Sequence, residues 1–439
     1  MLSQLSAIEA AEKIRDGEIT SVELVTDCLE RIKQTDEKIG AWACLDPELA
    51  LEQAKLMDIA HQNGAPSGPL HGVPVGVKDI FDTRNMPTAW GTKIHAAHQP
   101  EADSAVVDKL HEAGAIVLGK TVTTELAFAM AGPTRNPHNE RHTTGGSSAG
   151  SAASVATGHV PLSIGSQTNG SVIRPASFCG VYGFKPTRGL ISRRGCLQTS
   201  QTLDQVGVMG RSLLDIALLA DVLKGHDPAD LDTYARAKPK MLEGVLADAP
   251  VEPVFAWFEL PYEDQYSPAM REGHKELLDM LGDRVEHLPA PNSFRDVIRE
   301  HQIIHEYEFR ANLESDPSLS PQHIHETLAP KLKRAADISE KTYTDALKMV
   351  AAAKRYFAEF FNDYDAIISP AALGEAPLLD EGAGDPICST IWTLAGLPCL
   401  SLPLLEGESG LPMGVQLIGS TEQDDRLLRT ASWLEKHLA

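Results

Sequence analysis

Ser147, in GGSS, and Ser171, in TNGSVIR, sit in two separate glycine-rich turns, and Lys78 ends the apolar run VPVGVK well upstream. These three side chains suffice for a hydrolytic site without histidine. A serine hydroxyl is a weak nucleophile at neutral pH until an adjacent base takes its proton. A lysine serves as that base only if burial or a nearby cation lowers its pKa toward the working pH. Lys78 follows VPVGV, so it enters from an apolar strand end, which fits desolvation. Any acyl intermediate needs preorganised donors for its oxyanion. The backbone N–H groups of Thr168, Asn169, Gly170 and Ser171 are the natural set in a tight turn.

Other residues resolve into supporting roles. GGSSAGS lacks the lysine of a phosphate loop and does not match GxGxxG. Lys120 and Lys185 read as structural, and Asp204 and Arg211 as pins for the strand after the site. His301 and His305 have the i, i+4 spacing that can bind zinc, but no HExxH and no third ligand accompany them. His323 and His325 lie two apart, which is poor for one helix face. All four read as packing or solvated histidines. No metal and no cofactor are expected. In VFAWFELPYEDQY the first half reads as core, and the rest as a candidate access channel.

The elements that must position these groups alternate between helix and strand. Residues 3–60 read as helices, with Thr20 and Glu23 forming a capping box. VPVGVKD is a short strand, and AVVDKLHEAGAIVLGKT a helix followed by a strand. ASVATGHVPLSIG between the two turns is apolar and strand-like. FCGVYGFKPTRG reads as a buried strand and a turn, and RSLLDIALLADVLKG as an amphipathic helix. Residues 226–250 are polar and proline-bearing, a plausible boundary. VFAWF, MREGHKELLDMLG and RVEHLP form a strand-helix-strand unit, and 293–362 is nearly all helical. DYDAIISPAAL and the final CSTIWTLAGLPCLSLPLLEG and GLPMGVQLIG return as strands of the first sheet. The middle segment therefore reads as an insertion or cap flanked by core. The expected divisions are 1–60 as a helical arm, 61–225 as catalytic core, 226–365 as a variable pocket-shaping segment, and 366–439 as the rest of the core.

Composition sets outer limits. The 439 residues include 39 basic and 61 acidic ones, for a net charge of −22. That charge disfavours nucleic acid and anionic membranes, which reward basic patches. Six cysteines without a CxxC pair suit reduced, buried thiols rather than a disulfide framework. No stretch approaches the ~18 apolar residues of a membrane span, and MLSQLSAIEA lacks a basic leader pattern. A cytoplasmic setting is expected.

The motifs GPLHGVPVGVKD, LGKTVTTELAF, GGSSAGSAASVATG, GSQTNGSVIRPASFCGVYGFKPTRG, TLDQVGVMGRS, LAGLPCLSLP and GLPMGVQLIG, in this order, resemble the amidase signature family across nearly the whole chain. The resemblance implies a single large α/β domain, a mixed sheet wrapped by helices. It implies a Ser-cisSer-Lys set in which Ser171 is the nucleophile, Ser147 the bridging serine after a cis peptide, and Lys78 the base. Gly145 and Gly146 leave room for that peptide. Ala127, Gly146, Gln167 and Trp392 are the expected substrate-binding residues. The activity implied is hydrolysis of a linear carbon–nitrogen bond in a small amide, with aryl amides, esters or carbamates as further substrates. A homodimer is also an expectation from the family.

The nucleophile turn departs from the commoner Asp-Thr-Gly-Gly-Ser-Ile-Arg. Gln167 replaces the acid, Asn169 replaces a glycine, and Arg174 falls one place later; Thr393 stands where the family often has Asn. These differences argue against close kinship with the amidotransferase A subunit. Two other readings remain open: an A-subunit-like protein that supplies ammonia to a partner, and a silent binder on an amidase scaffold.

Overall fold

The computed structural model describes residues 1–65, 67–128, 132–316, 319 and 326–438. Its strands are β1 Trp42–Leu45, β2 Pro74–Lys78, β3 Ile116–Thr121, β4 Leu162–Gln167, β5 Tyr182–Lys185, β6 Gln205–Gly210, β7 Phe255–Glu259, β8 Val285–Pro289, β9 Ala366–Pro370, β10 Cys399–Glu406 and β11 Pro412–Ile418. Among the described residues they form one 11-stranded sheet in the order β1-β3-β2-β4-β6-β5-β10-β11-β9-β7-β8. β2 runs parallel to both β3 and β4, and β7 parallel to β8 and β9. The remaining neighbours are antiparallel. This is a single domain with a mixed sheet wrapped by helices.

Every residue of β2, β3 and β4 is buried. Parallel strands covered by helices on both faces read as continuous apolar runs, which is why VPVGV and IVL lack polar alternation. The helix Ser21–Ile39 starts at the predicted box, with Thr20 Oγ1 accepting from the Glu23 N–H at 3.1 Å and Glu23 Oε2 accepting from the Thr20 N–H at 2.8 Å. It ends at Gly40 in the left-handed conformation.

Several local readings are corrected. The N-terminal arm is not wholly helical, because β1 pairs with β3 at one edge of the sheet. The first half of ASVATGHVPLSIG is a helix, Ala149–Ala156. Its small residues let it lie against the sheet: a Cβ on Gly150 would come 2.1 Å from the Ala41 carbonyl oxygen. FCG closes the helix Ile173–Cys179, and β5 begins after Gly180. CSTIWTLA is also helical, within Ile387–Ala395. The helix Leu213–Leu223 is buried on nearly all sides rather than amphipathic. The middle segment is not a cap separate from the core. Its β7 pairs with β9 and carries β8 beyond it, so two strands of this segment complete the sheet rather than leave β9 an open edge. Within 226–250, the helix Met241–Leu246 packs on the helix Asp424–Leu438. Among the described residues, no helix is long and apolar enough to cross a membrane.

Candidate active site

Lys78 is the last residue of β2 and is fully buried. The carboxyl ends of parallel strands are where open α/β sheets present ligand sites. Its Nζ lies 2.7 Å from Ser147 Oγ and 2.8 Å from Ser166 Oγ. Burial removes the water that would stabilise an ammonium and pushes Lys78 down to about 7, while Cys196 and Asp204 act the other way. Ser166, in β4 beside β2, is a partner that the sequence reading missed. Ser147 follows a cis peptide bond from Gly146. The preceding Gly145 has φ 76° and no room for a side chain, since a Cβ would meet Phe178 at 3.0 Å. Arg174 secures this turn: its guanidinium donates to the Gly146 carbonyl at 2.7 Å and also to the Gly384 carbonyl.

Ser171 lies in the turn between β4 and the helix Ile173–Cys179 and is partly exposed. Gln167 anchors that turn. Its Oε1 accepts from the Val172 and Ile173 N–H groups at 2.8 and 3.0 Å, and its Nε2 donates to Thr393 Oγ1 at 3.0 Å. Thr393 Oγ1 in turn donates to the Asn169 carbonyl at 2.6 Å, and Thr390 Oγ1 donates to Asn169 Oδ1 at 2.8 Å. His301 Nε2 donates to the Thr168 carbonyl at 2.9 Å. In a trans peptide the C=O and the following N–H point oppositely. The Asn169 and Gly170 N–H groups therefore point away from His301 and Thr393. Neither they nor the Ser171 N–H bond to another described residue. Asp204 receives hydrogen bonds from Thr168 Oγ1 at 2.6 Å, the Thr199 N–H at 2.7 Å and the Ser200 N–H at 2.9 Å, which fits its expected pinning role.

A cavity of about 760 Å³ opens over these groups. Ser147, Ser171, Thr168, Asn169, Ala127 and Gly146 line it, with Lys78 hidden behind Ser147. The helices Ser293–Ser315 and Ala329–Asp337 supply the wall bearing His301, His305 and Lys331. Two expected substrate contacts are corrected. Gln167 is fully buried and committed to the turn, and Trp392 is fully buried in a cluster with Phe294 and Phe357. Neither lines the cavity. The VFAWFELPYEDQY stretch is no access channel to this site; Trp257 and Tyr266 line a separate groove.

His301 is neither solvated nor mere packing, because it holds the turn. Burial pushes it down to about 4, so the ring is neutral at ordinary pH. His323 and His325 lie outside the described residues. Among those described, no group of three His, Cys, Asp or Glu side chains could hold a metal ion. Lys185 is bonded to Gln205 Oε1 at 2.6 Å, Lys120 to Asp79 at 3.1 Å, and Arg211 to the Leu5 and Val160 carbonyls, all structural uses.

The family model Amidase matches residues 23–428. The chain is 33% identical to the A subunit of glutamyl-tRNA(Gln) amidotransferase from Streptomyces coelicolor, over 98% of this chain and 95% of that protein. Among solved structures, peptide amidase from Stenotrophomonas maltophilia superposes with a TM-score of 0.85 at 26% identity, covering 99% of this chain and 96% of that one. A chain described with the words "an unexpected vestigial protein complex reveals the evolutionary origins of an s-triazine catabolic enzyme" superposes with a TM-score of 0.92 at 29% identity, covering 98% of both. The likeness to the amidotransferase thus spans the chain despite the altered turn. The chain belongs to the amidase family, enzymes that act on carbon–nitrogen bonds.

Proposed function

We propose that this protein hydrolyses a linear carbon–nitrogen bond of a small amide through an acyl-enzyme on Ser171. The observation that carries the reading is the 2.7 Å contact between the buried Lys78 amine and Ser147, beside the cavity that Ser171 lines. A neutral Lys78 accepts the Ser147 proton on its lone pair and donates an N–H to Ser166. Ser147 takes the Ser171 proton as Ser171 Oγ attacks the carbonyl carbon. The N–H groups of Thr168, Asn169, Gly170 and Ser171 face the oxyanion, the kind of preorganised donation that dominates acyl transfer. The proton returns from Lys78 through Ser147 to the nitrogen, and the C–N bond breaks. Water then repeats the relay on the ester, releasing the acid and regenerating Ser171. The relay activates the serine whatever the leaving group, so aryl amides, esters and carbamates fall within its reach. Six free cysteines suit a cytoplasmic, reducing setting.

The test is mass spectrometry after fluorophosphonate treatment, alongside Ser171→Ala. An adduct on Ser171 and loss of turnover in the folded variant are expected. An adduct on Ser147 with Ser171 unmodified would reassign the nucleophile.

The likeness to the amidotransferase supports a second reading, in which a partner chain receives ammonia. Hydrolysis by the purified chain alone separates the two.

A further inference from the structure

Lys331 projects into the catalytic cavity from the helix Ala329–Asp337 and is half-buried. Its Nζ sits 4.4 Å from the centre of the Phe128 ring. Among the described residues no carboxylate forms an ion pair with it. The residues outside that set near it in sequence, 317, 318 and 320–325, contain no Asp or Glu. The other charges of the cavity are already engaged or exposed. Glu306 is held by Arg334 Nε at 3.2 Å and by Gln302 Nε2 at 3.0 Å. Arg174 serves the Gly146 and Gly384 carbonyls. Asp380, Glu381 and Asp385 are exposed.

A second observation points to a ligand at the same place. The His305 ring packs against Phe128 at 4.3 Å, and its Nε2 is shielded from solvent without a partner. Burial holds this ring well below the usual histidine range, so it is neutral. With its proton on Nε2 it is a donor to an anion. An ammonium set over an aromatic face gains from the ring, and Glu306 acts on it electrostatically but is bound to Arg334, so no described carboxylate pairs with it directly. An anionic group reached by both Lys331 and His305 would pair with the ammonium and accept from Nε2.

We propose that Lys331 and His305 form a subsite for an anionic group, most simply a carboxylate, on the acyl part of the substrate. The inference rests on the amide-hydrolysis reading and narrows its substrate class to half-amides of small dicarboxylic acids or similar anionic amides.

Two measurements on the purified full-length protein test this. Hydrolysis of succinamate and glutaramate is compared with butanamide and pentanamide. Wild type should favour the anionic member of each pair by roughly 10- to 100-fold in kcat/KM, the scale of a charge-assisted contact. Lys331→Met should abolish that preference through KM while hydrolysing the neutral amides within about threefold of wild type, and Lys331→Arg should restore part of it. Independently of turnover, succinate or glutarate should slow fluorophosphonate labelling of Ser171 in wild type but not in Lys331→Met. Equal rates within each pair, or dicarboxylate protection that survives in Lys331→Met, would overturn the subsite while leaving the hydrolase reading intact. Failure of Ser171 to label at all would instead remove the reading on which it rests.

Discussion

Gln167 and Thr393 stand 226 positions apart and share a 3.0 Å hydrogen bond. Through it, two sequence departures are joined to the turn: Gln167 donates to Thr393, and Thr393 donates to the backbone carbonyl of residue 169. Gln167 and Thr393 are therefore coupled rather than independent departures around the Ser171 turn.

That coupling gives a double-mutant prediction. In Gln167→Glu the carboxylate still accepts from Val172 and Ile173 but loses the donor to Thr393, leaving two oxygens facing each other in a buried site. The variant should lose about 1–3 kcal/mol of stability, the cost of a buried polar group left without its partner. Adding Thr393→Asn supplies amide N–H donors for both the carboxylate and the Asn169 carbonyl. Denaturant unfolding of the four proteins should show a favourable coupling of about 0.5–3 kcal/mol. Simple additivity would break the network argument.

Lys78 gives a prediction in pH. As the base it must be neutral, so the acylation rate should rise with pH through about 7 and then level off. Lys78→Ala should lose roughly 10²–10⁴ in rate. A matched anilide should suffer more than an aryl ester, because an amine leaves poorly without a proton and a phenolate does not need one. The measurement is acylation of both substrates from pH 6 to 10. A wild-type profile preserved in the variant would exclude Lys78 from the proton path.

The same residue should govern stability in the opposite sense to a salt-bridged lysine. Its folded pKa of about 7 lies below the ordinary 10.5. Between those values the unfolded chain binds the extra proton, so stability rises with pH. Below about 7 the native state must bury an ammonium, and the penalty is complete. Lys78→Met should thus stabilise the fold most below pH 7, with the difference fading as pH climbs toward 10.5. Unfolding midpoints across pH check the sign.

His301→Phe tests the turn. Without Nε2–H the Thr168 carbonyl loses its partner, and the Asn169 N–H loses its fixed direction. A kcat loss of about 10- to 100-fold is expected with KM little changed, short of the roughly 10²–10³ lost when an oxyanion donor is removed outright. Dialysis of wild type against a chelator should leave activity unchanged. Activity lost to chelator and regained with zinc would make His301 a metal ligand.

Trp392 should behave as core. Trp392→Ala is expected to cost about 3–5 kcal/mol of stability. The folded fraction should keep its KM, because the ring packs on Phe294 and Phe357 rather than on substrate. A KM shift of tenfold with an unchanged melting curve would return Trp392 to the binding site.

What the sequence determined by itself was local. Thr20 and Glu23 specify a helix start because a capping box needs only four consecutive residues. Gly145 and the fully apolar VPVGV reveal a tight turn and a buried strand because φ sterics and burial act on neighbours. Lys78, Ser147 and Ser171 were legible because each sits in such a local setting. The tertiary structure decided what depends on which segments meet. Ser166 reaches Lys78 only because β4 lies beside β2, and β7 and β8 join the sheet only because β9 offers them an edge. Gln167 turns inward, away from the cavity, because Thr393 waits across the fold. Lys331 faces the cavity without an ion-pair partner among the described residues because of how its helix is docked. Local propensity acts over a few residues, whereas register, burial and charge pairing are set by contacts between segments hundreds of residues apart, which no single stretch of the chain encodes.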